Sequence, residues 1–307
     1  MRAFIFPGQG SQAVGMGSTL AEASAAAREV FGEVDEALGQ NLSRLMREGP
    51  IEELTLTENA QPAIMANAIA VLRASGIDLP AKAAFVAGHS LGEYSALCAA
   101  GALDLATAAR LLKLRGKAMQ AAVPVGVGAM AAMLGAGLSE AQRLVSETGE
   151  GDVLDVANDN DPSQVVISGH AAAVERAVAA AKEYGFKRGI LLPVSAPFHC
   201  RLMQPAADAM AEALGEAALA APVVPVYANV TAASASDPDE ISDLLVRQVT
   251  GMVRWRESVA NMTEAGVSDF VEFGGRVLGP MVKRIAPDAE VTSVVTPDDI
   301  DALLKEV

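Results

Sequence analysis

The residue spacing richest in chemistry is Gly88-His89-Ser90-Leu91-Gly92, which fits G-x-S-x-G. An apolar run ends at Ala87 and a helical pattern begins near Glu93, so the serine falls on a strand-to-helix turn. Such a turn holds Oγ clear of the sheet, its glycines admit the bend, and the helix N-terminus favours negative charge developing beside it. The chemistry indicated is attack of Ser90 Oγ on an acyl carbonyl. A turn serine with no chemistry can carry the same five letters; the strand before it and the helix after it favour the nucleophile.

A serine needs a base at neutral pH, and histidine is the side chain best matched to that task. The chain has 3 histidines. His89 adjoins Ser90 on the same turn, where neighbouring side chains point apart, and reads as a packed or hydrogen-bonded residue. His170 opens a helix and reads as a cap or surface residue. His199 follows an apolar strand and the loop Ser195-Ala196-Pro197-Phe198, C-terminal to the serine as in α/β-hydrolases, and by elimination is the base. No acid stands out to orient it among Asp155, Asp159, Asp161 and Asp208; a backbone carbonyl or an amide oxygen could serve instead. Cys200, a second conceivable nucleophile, lacks a turn motif and reads as a packed residue.

An oxyanion hole takes one backbone amide from the residue after the nucleophile, here Leu91, and one from a separate loop. Pro7-Gly8-Gln9-Gly10-Ser11-Gln12 directly follows the N-terminal strand, and Gln9 is its candidate donor. Gly8-x-Gly10-x-x-Ala13 and Gly126-x-Gly128-x-x-Ala131 also resemble dinucleotide fingerprints. For the first, Glu33 and Asp35 lie in a helical pattern rather than at the end of a second strand, and both are read as decoys.

These residues must be positioned by strands and helices in alternation. Short β-rich runs such as Ala83–Ala87 alternate with long Ala-rich helical stretches, which predicts an α/β fold with a parallel sheet and crossover helices, of α/β-hydrolase type. Between about Gly126 and Val194 the order becomes strand (129–134), helix (139–148), strand (153–157), strand (164–168), helix (171–184), strand (189–194). This βαββαβ order predicts a ferredoxin-like subdomain, 126–195, inserted into a catalytic domain formed by 1–125 and 196–307. The later catalytic-domain elements are expected as a strand at 223–230, a helical region over 241–265, and strands at 269–273 and 291–295.

Of the 307 residues 51% are hydrophobic, enough to bury a substantial core. The net charge of -15 argues against non-specific nucleic-acid binding. An acidic partner would need a local basic patch: Arg110, Lys113, Arg115 and Lys117; Lys182 with Lys187-Arg188; or Lys283-Arg284. Two cysteines without CxxC spacing predict neither disulfide nor zinc site, and suit a reducing interior. The N-terminal Met1–Phe6 run reads as a first strand rather than a targeting peptide, and no uncharged apolar stretch is long enough to span a bilayer. A cytoplasmic protein that does not associate with membranes is expected.

Taken together, Phe6-Pro7-Gly8-Gln9-Gly10-Ser11-Gln12, Gly88-His89-Ser90-Leu91-Gly92-Glu93-Tyr94, Leu114-Arg115-Gly116, Ser195-Ala196-Pro197-Phe198-His199 and Gln248 ahead of Arg254-Trp255 resemble the malonyl-CoA:acyl-carrier-protein transacylase family across essentially the whole chain. The resemblance implies that Ser90 is acylated, that His199 is its base, and that the amides of Gln9 and Leu91 form the oxyanion hole. It further implies that Arg115 grips the malonyl carboxylate and that the backbone carbonyl of Gln248 orients the histidine. Gln61 is implied to line the site, and Phe198 to leave little room for an α-methyl branch. On sequence alone Arg115 would read as an exposed helix arginine. The implied reaction is ping-pong transfer of malonyl from malonyl-CoA to the phosphopantetheine thiol of acyl carrier protein in fatty-acid biosynthesis. It involves no metal or redox cofactor, the coenzyme A thioester being a substrate, and a monomer is the simplest expectation. A serine esterase or thioesterase shares the elbow and the histidine, and a non-catalytic carrier-docking scaffold could share the fold; an intact Ser90 with His199 disfavours the scaffold.

Overall fold

Ala3, Phe4, Ile5 and Phe6 are all fully buried in strand β1 (Arg2–Phe6), the pattern of a strand covered on both faces. Alternate residues serve two cores. Phe4 and Phe6 pack with helix Thr57–Ser75, whereas Ala3 and Ile5 pack with Trp255, Val259 and Phe270. The computed structural model, which describes residues 1–194 and 196–305, builds two sheets around this arrangement. Ser195, part of a family motif and the last residue of the expected subdomain, lies outside the described residues.

The remaining strands are β2 (Phe85–Gly88), β3 (Gly128–Leu134), β4 (Leu154–Asp161), β5 (Gln164–His170), β6 (Arg188–Leu191), β7 (Val226–Ala228), β8 (Ala233–Ala235), β9 (Asp269–Phe273) and β10 (Glu290–Val294). The larger sheet has the order β10-β9-β1-β2-β7-β8, parallel throughout except for β8. The chain moves from β1 to β2 on one side and later to β9 on the other. The loops after β1, β2, β7 and β9 therefore meet at one carboxyl edge beside this switch in direction, where α/β proteins bind ligands. The smaller sheet is antiparallel, order β4-β5-β3-β6, with helices Leu138–Thr148 and Ala171–Ala180 on one face.

Charged clamps join the smaller sheet to two helices packed on the larger one, Trp255–Glu264 and Leu278–Ile285. Asp159 and Asp161, with side chains only 1% and 0% exposed, pair with Arg256 at 2.8 Å and Arg284 at 2.7 Å. Between them the backbone of Val253 bonds to Ala157 and Asp159 at 2.8 and 2.9 Å. These contacts explain two departures from the sequence reading. Strand β4 runs on to Asp161, past the expected end at residue 157, because the Asn158–Asp161 stretch finds polar partners. The expected helical region 241–265 is two helices, Pro238–Thr250 and Trp255–Glu264, since the segment between them is extended to reach β4. Three smaller shifts accompany them. Strand 223–230 shrinks to Val226–Ala228, the helix from Ala171 finishes as a 3₁₀ turn over Ala181–Tyr184, and β6 stops at Leu191 so that Leu192–Val194 can line a cavity. Among the described residues no helix is long and apolar enough to cross a membrane.

Helix Leu105–Ala121 crosses helix Thr57–Ser75 at Gly116, where a Cβ would lie 2.6 Å from both Glu58 Cα and the Thr57 carbonyl oxygen. Both obstacles are backbone and cannot rotate away. Replacing a helix-interior glycine by alanine ordinarily stabilises by about 1 kcal/mol. Here Gly116→Ala should instead destabilise by roughly 1–3 kcal/mol, the range for overpacking, read as a lower urea midpoint; a raised midpoint would contradict this packing.

Candidate active site

The turn after β2 is held by its own backbone and by a distant side chain. Ser90 sits at φ 55°, a left-handed conformation that costs a non-glycine residue energy and that clusters at functional sites. Asn229, just after β7, pins both ends of this turn: its Oδ1 accepts from the Ser90 N–H at 2.8 Å and its Nδ2 donates to the Gly88 carbonyl at 2.7 Å. Gly92 lets the next helix lie directly on β1, since a Cβ there would sit 2.3 Å from the Phe6 carbonyl oxygen.

His199 reaches the serine from the far side. Its Nε2 is 2.8 Å from Ser90 Oγ and its Nδ1 2.8 Å from the backbone oxygen of Gln248. A carbonyl can only accept, so Nδ1 carries the ring proton and Nε2 is left to accept from the Ser90 hydroxyl. His199 also has a positive φ, 56°. The carboxylates considered as orienting groups are engaged elsewhere: Asp155 with Arg201, Asp159 with Arg256, Asp161 with Arg284, and Asp208 with Gln204. Burial first, and then the nearby Arg115 charge, push the His199 imidazole down to about 3, so it is neutral at physiological pH.

Arg115 is not on the surface: it is 1% exposed, inside the protein beneath Ser90. Its Nη2 donates to Ser90 Oγ at 3.1 Å and to Gln248 Oε1 at 2.9 Å, and its Nη1 donates to Gln61 Oε1 at 2.8 Å. Its guanidinium carbon lies 5.7 Å from the centre of the Tyr94 ring. Every oxygen it touches is neutral, and its Nε–H has no hydrogen-bond partner among the described residues. A buried cation without a carboxylate in contact is an electrostatic vacancy for an anion. The surrounding cavity, about 370 Å³, is lined by Gln9, Gln61, Ser90, Leu91, Phe198 and His199 beside Arg115, and by apolar side chains such as Met130, Val166 and Leu192.

The sequence candidates thus converge. Ser90, His199, Arg115, Gln61 and Gln248 form one hydrogen-bonded set, while Gln9, Leu91 and Phe198 border the same cavity. His89 is a packed residue, with Nε2 2.9 Å from Asn160 Oδ1 and its ring centre 5.9 Å from that of Trp255. His170 precedes its helix without capping it through the side chain; its Nδ1 accepts from the Val153 N–H at 3.0 Å. Cys200 is buried and donates to the Pro197 carbonyl at 3.1 Å. Sequence reasoning missed Asn229 and Glu93. Asn229 had a signal, a polar residue ending a strand at the active edge; Glu93 had another, a carboxylate opening an otherwise apolar helix. The Gln248 side chain was missed as well, although its carbonyl was not.

Comparison with known proteins accords with this geometry. A family model described as an acyl transferase domain matches residues 3–275. The malonyl CoA-acyl carrier protein transacylase of Escherichia coli K12 is 45% identical over 304 residues, covering 99% of this chain and 98% of that protein. The crystal structure of acyl-carrier-protein S-malonyltransferase from Bartonella henselae superposes with a TM-score of 0.97 at 51% identity, covering 99% of this chain and 98% of that one. A malonyl-transacylase solved in complex with a type II polyketide-synthase acyl-carrier protein superposes at 0.96 with 41% identity, covering 100% and 99%. On this likeness of sequence and fold along its whole length, the chain belongs to the malonyl CoA-acyl carrier protein transacylase family of acyl transferases.

Proposed function

We propose that this protein transfers a malonyl group from malonyl-CoA to the phosphopantetheine thiol of acyl carrier protein, through a malonyl-serine intermediate, in fatty-acid biosynthesis. The observation that carries this reading is Arg115, a buried guanidinium with neutral partners 3.1 Å from the nucleophile. A planar fork suits a carboxylate bidentately, and a carboxylate distinguishes malonyl from acetyl. A plain esterase has no use for such a charge.

His199 Nε2 takes the hydroxyl proton as Ser90 Oγ bonds to the thioester carbon, and the carbonyl oxygen becomes an oxyanion facing the Leu91 and Gln9 amides. Collapse breaks the carbon–sulfur bond, His199 returns the proton to sulfur, and coenzyme A leaves. The carrier thiol then gives its proton to His199, attacks the serine ester, and Ser90 is regenerated. The chain's own groups, the thioester donor and the thiol acceptor suffice, so no resident metal or redox cofactor is invoked. One chain supplies all of them, as a monomer would. Phe198, at the cavity wall, is assigned the exclusion of α-branched acyl groups. The hydrolase-like description of the larger unit, 1–125 with 196–307, is supported by its nucleophile turn. The ferredoxin-like description of 126–195 is supported by its βαββαβ order. A cytoplasmic location fits the substrates.

Docking of an acidic carrier is assigned to Lys187 and Arg188. The other basic groups are largely committed: Lys113 and Lys117 to Glu58, Lys283 to the Ala289 carbonyl and Arg284 to Asp161. Lys187 and Arg188 are exposed, and a few residues further on Leu192–Val194 line the cavity.

Arg115→Ala should lower kcat/KM for malonyl-CoA by roughly a hundredfold or more while affecting acetyl-CoA far less; equal losses would remove the basis for the malonyl assignment. The His199 imidazole should stay neutral by NMR down to about pH 5, and in Arg115→Ala its midpoint should move upward, because a repelling positive charge has gone. A midpoint near the ordinary histidine value of 6.5 in the unaltered protein would contradict the described burial. Reversing both charges, Lys187→Glu with Arg188→Glu, should raise KM for the carrier several-fold and reduce its salt dependence, whereas Lys113→Glu with Lys117→Glu should not.

A further inference from the structure

Behind Arg115 lies a buried carboxylate that the reaction does not use. Glu93, 1% exposed, begins the helix after the nucleophile turn. Its Oε2 accepts from the Asn229 backbone N–H at 2.9 Å and from Gln248 Nε2 at 2.8 Å. The same Gln248 Nε2 lies 3.1 Å from the Ser90 carbonyl and 3.2 Å from Asn229 Oδ1. One end of this amide therefore faces three oxygens, while the other faces the guanidinium of Arg115 at 2.9 Å. Only one orientation suits both ends. An amide turned over would aim its N–H groups at a buried cation and its oxygen at a carboxyl group.

We propose that Glu93 is a positioning residue for malonyl selectivity: it fixes the Gln248 amide so that its oxygen holds Arg115 in place to receive the substrate carboxylate. The inference rests on the assignment of Arg115 made above. It differs from the histidine-orienting role of Gln248, which uses that residue's backbone oxygen alone. Burial pushes the Glu93 carboxyl up to about 7, yet Oε2 can accept in either protonation state, so the amide orientation does not require the charge. A glutamine at this position can place its own oxygen where Oε2 lies and keep both bonds. An alanine keeps neither: the Gln248 amide loses the shortest of its three contacts and is left with those at 3.1 and 3.2 Å, so it holds Arg115 less firmly. Displacing a charge-assisted hydrogen bond of this kind lowers a rate by roughly tenfold to a hundredfold.

The test is steady-state kinetics of the full-length protein with malonyl-CoA and acetyl-CoA, for Glu93→Gln, Glu93→Ala, Gln248→Met and the Glu93→Ala/Gln248→Met double variant, with Arg115→Ala as reference. Glu93→Ala should lose roughly ten- to a hundredfold in kcat/KM for malonyl-CoA with a smaller loss for acetyl-CoA. Glu93→Gln should keep the malonyl-to-acetyl ratio within about threefold of the unaltered protein, and the double variant should be no worse than its more severe parent. Equal losses for both substrates in folded Glu93→Ala, or an unchanged ratio, would overturn the proposal. If Glu93→Ala does not fold, Gln248→Met decides, since it keeps the backbone carbonyl that serves His199; an unchanged ratio there overturns it too. Equal losses in Arg115→Ala would instead overturn the underlying assignment, whatever the Glu93 variants do.

Discussion

Burying a guanidinium with no carboxylate in direct contact costs several kcal/mol in a typical protein interior, and the architecture around Arg115, with Glu93 held behind the Gln248 amide, is what makes that burial tolerable. Gln61 comes from one helix, Gln248 from another and Ser90 from the turn after β2, so three separate elements converge to give neutral oxygens to a single cation. The charge is solvated well enough to remain folded and poorly enough to favour an anion. The same charge acts on His199 at the other side of the serine, helping to keep its imidazole neutral. In the proposed mechanism, nucleophile, base and carboxylate receptor are thus one electrostatic unit. A substrate carboxylate that offsets the Arg115 charge also removes a force opposing proton uptake by His199, which ties recognition of malonyl to activation of the serine.

The absence of an acid behind the histidine follows from that balance. A carboxylate there would compete for Arg115, fill the vacancy meant for substrate and raise the histidine towards protonation. A backbone carbonyl fixes the tautomer at 2.8 Å and adds no net charge. Rigidity comes instead from geometry. Ser90 and His199 are both held at positive φ, and the bonds from Asn229 to either side of the nucleophile offset that strain.

Part of this was legible in the chain itself. The nucleophile turn could be read because its signals are local: an apolar strand, small residues at two positions and a helix, all within about a dozen residues. His199 followed because histidines are scarce here, and the βαββαβ succession was visible in periodicity alone. The contacts of Asn229 and Gln248 with the turn could not be read. They span 139 and 158 residues and exist only because β7 lies beside β2 and a later helix crosses the carboxyl edge. Arg115 is the instructive case. In its helix it resembles the neighbouring Lys113 and Lys117, and nothing local distinguishes the buried cation from the half-buried Lys113 or the exposed Lys117. Only the family motif singled it out. The polar run at Asn158–Asp161 misled for the same reason, since the arginines that let it continue as a strand lie about a hundred residues away.

In the proposed reaction Ser90 carries the acyl group until a thiol arrives. Intact-mass measurement after mixing the protein with malonyl-CoA and no acceptor tests this directly, with Ser90→Ala alongside. The account predicts a lasting gain of one malonyl group on the unaltered protein, none on Ser90→Ala, and loss of the adduct when a carrier thiol is added. An equal adduct on Ser90→Ala, or steady release of free malonate with no adduct, would contradict it.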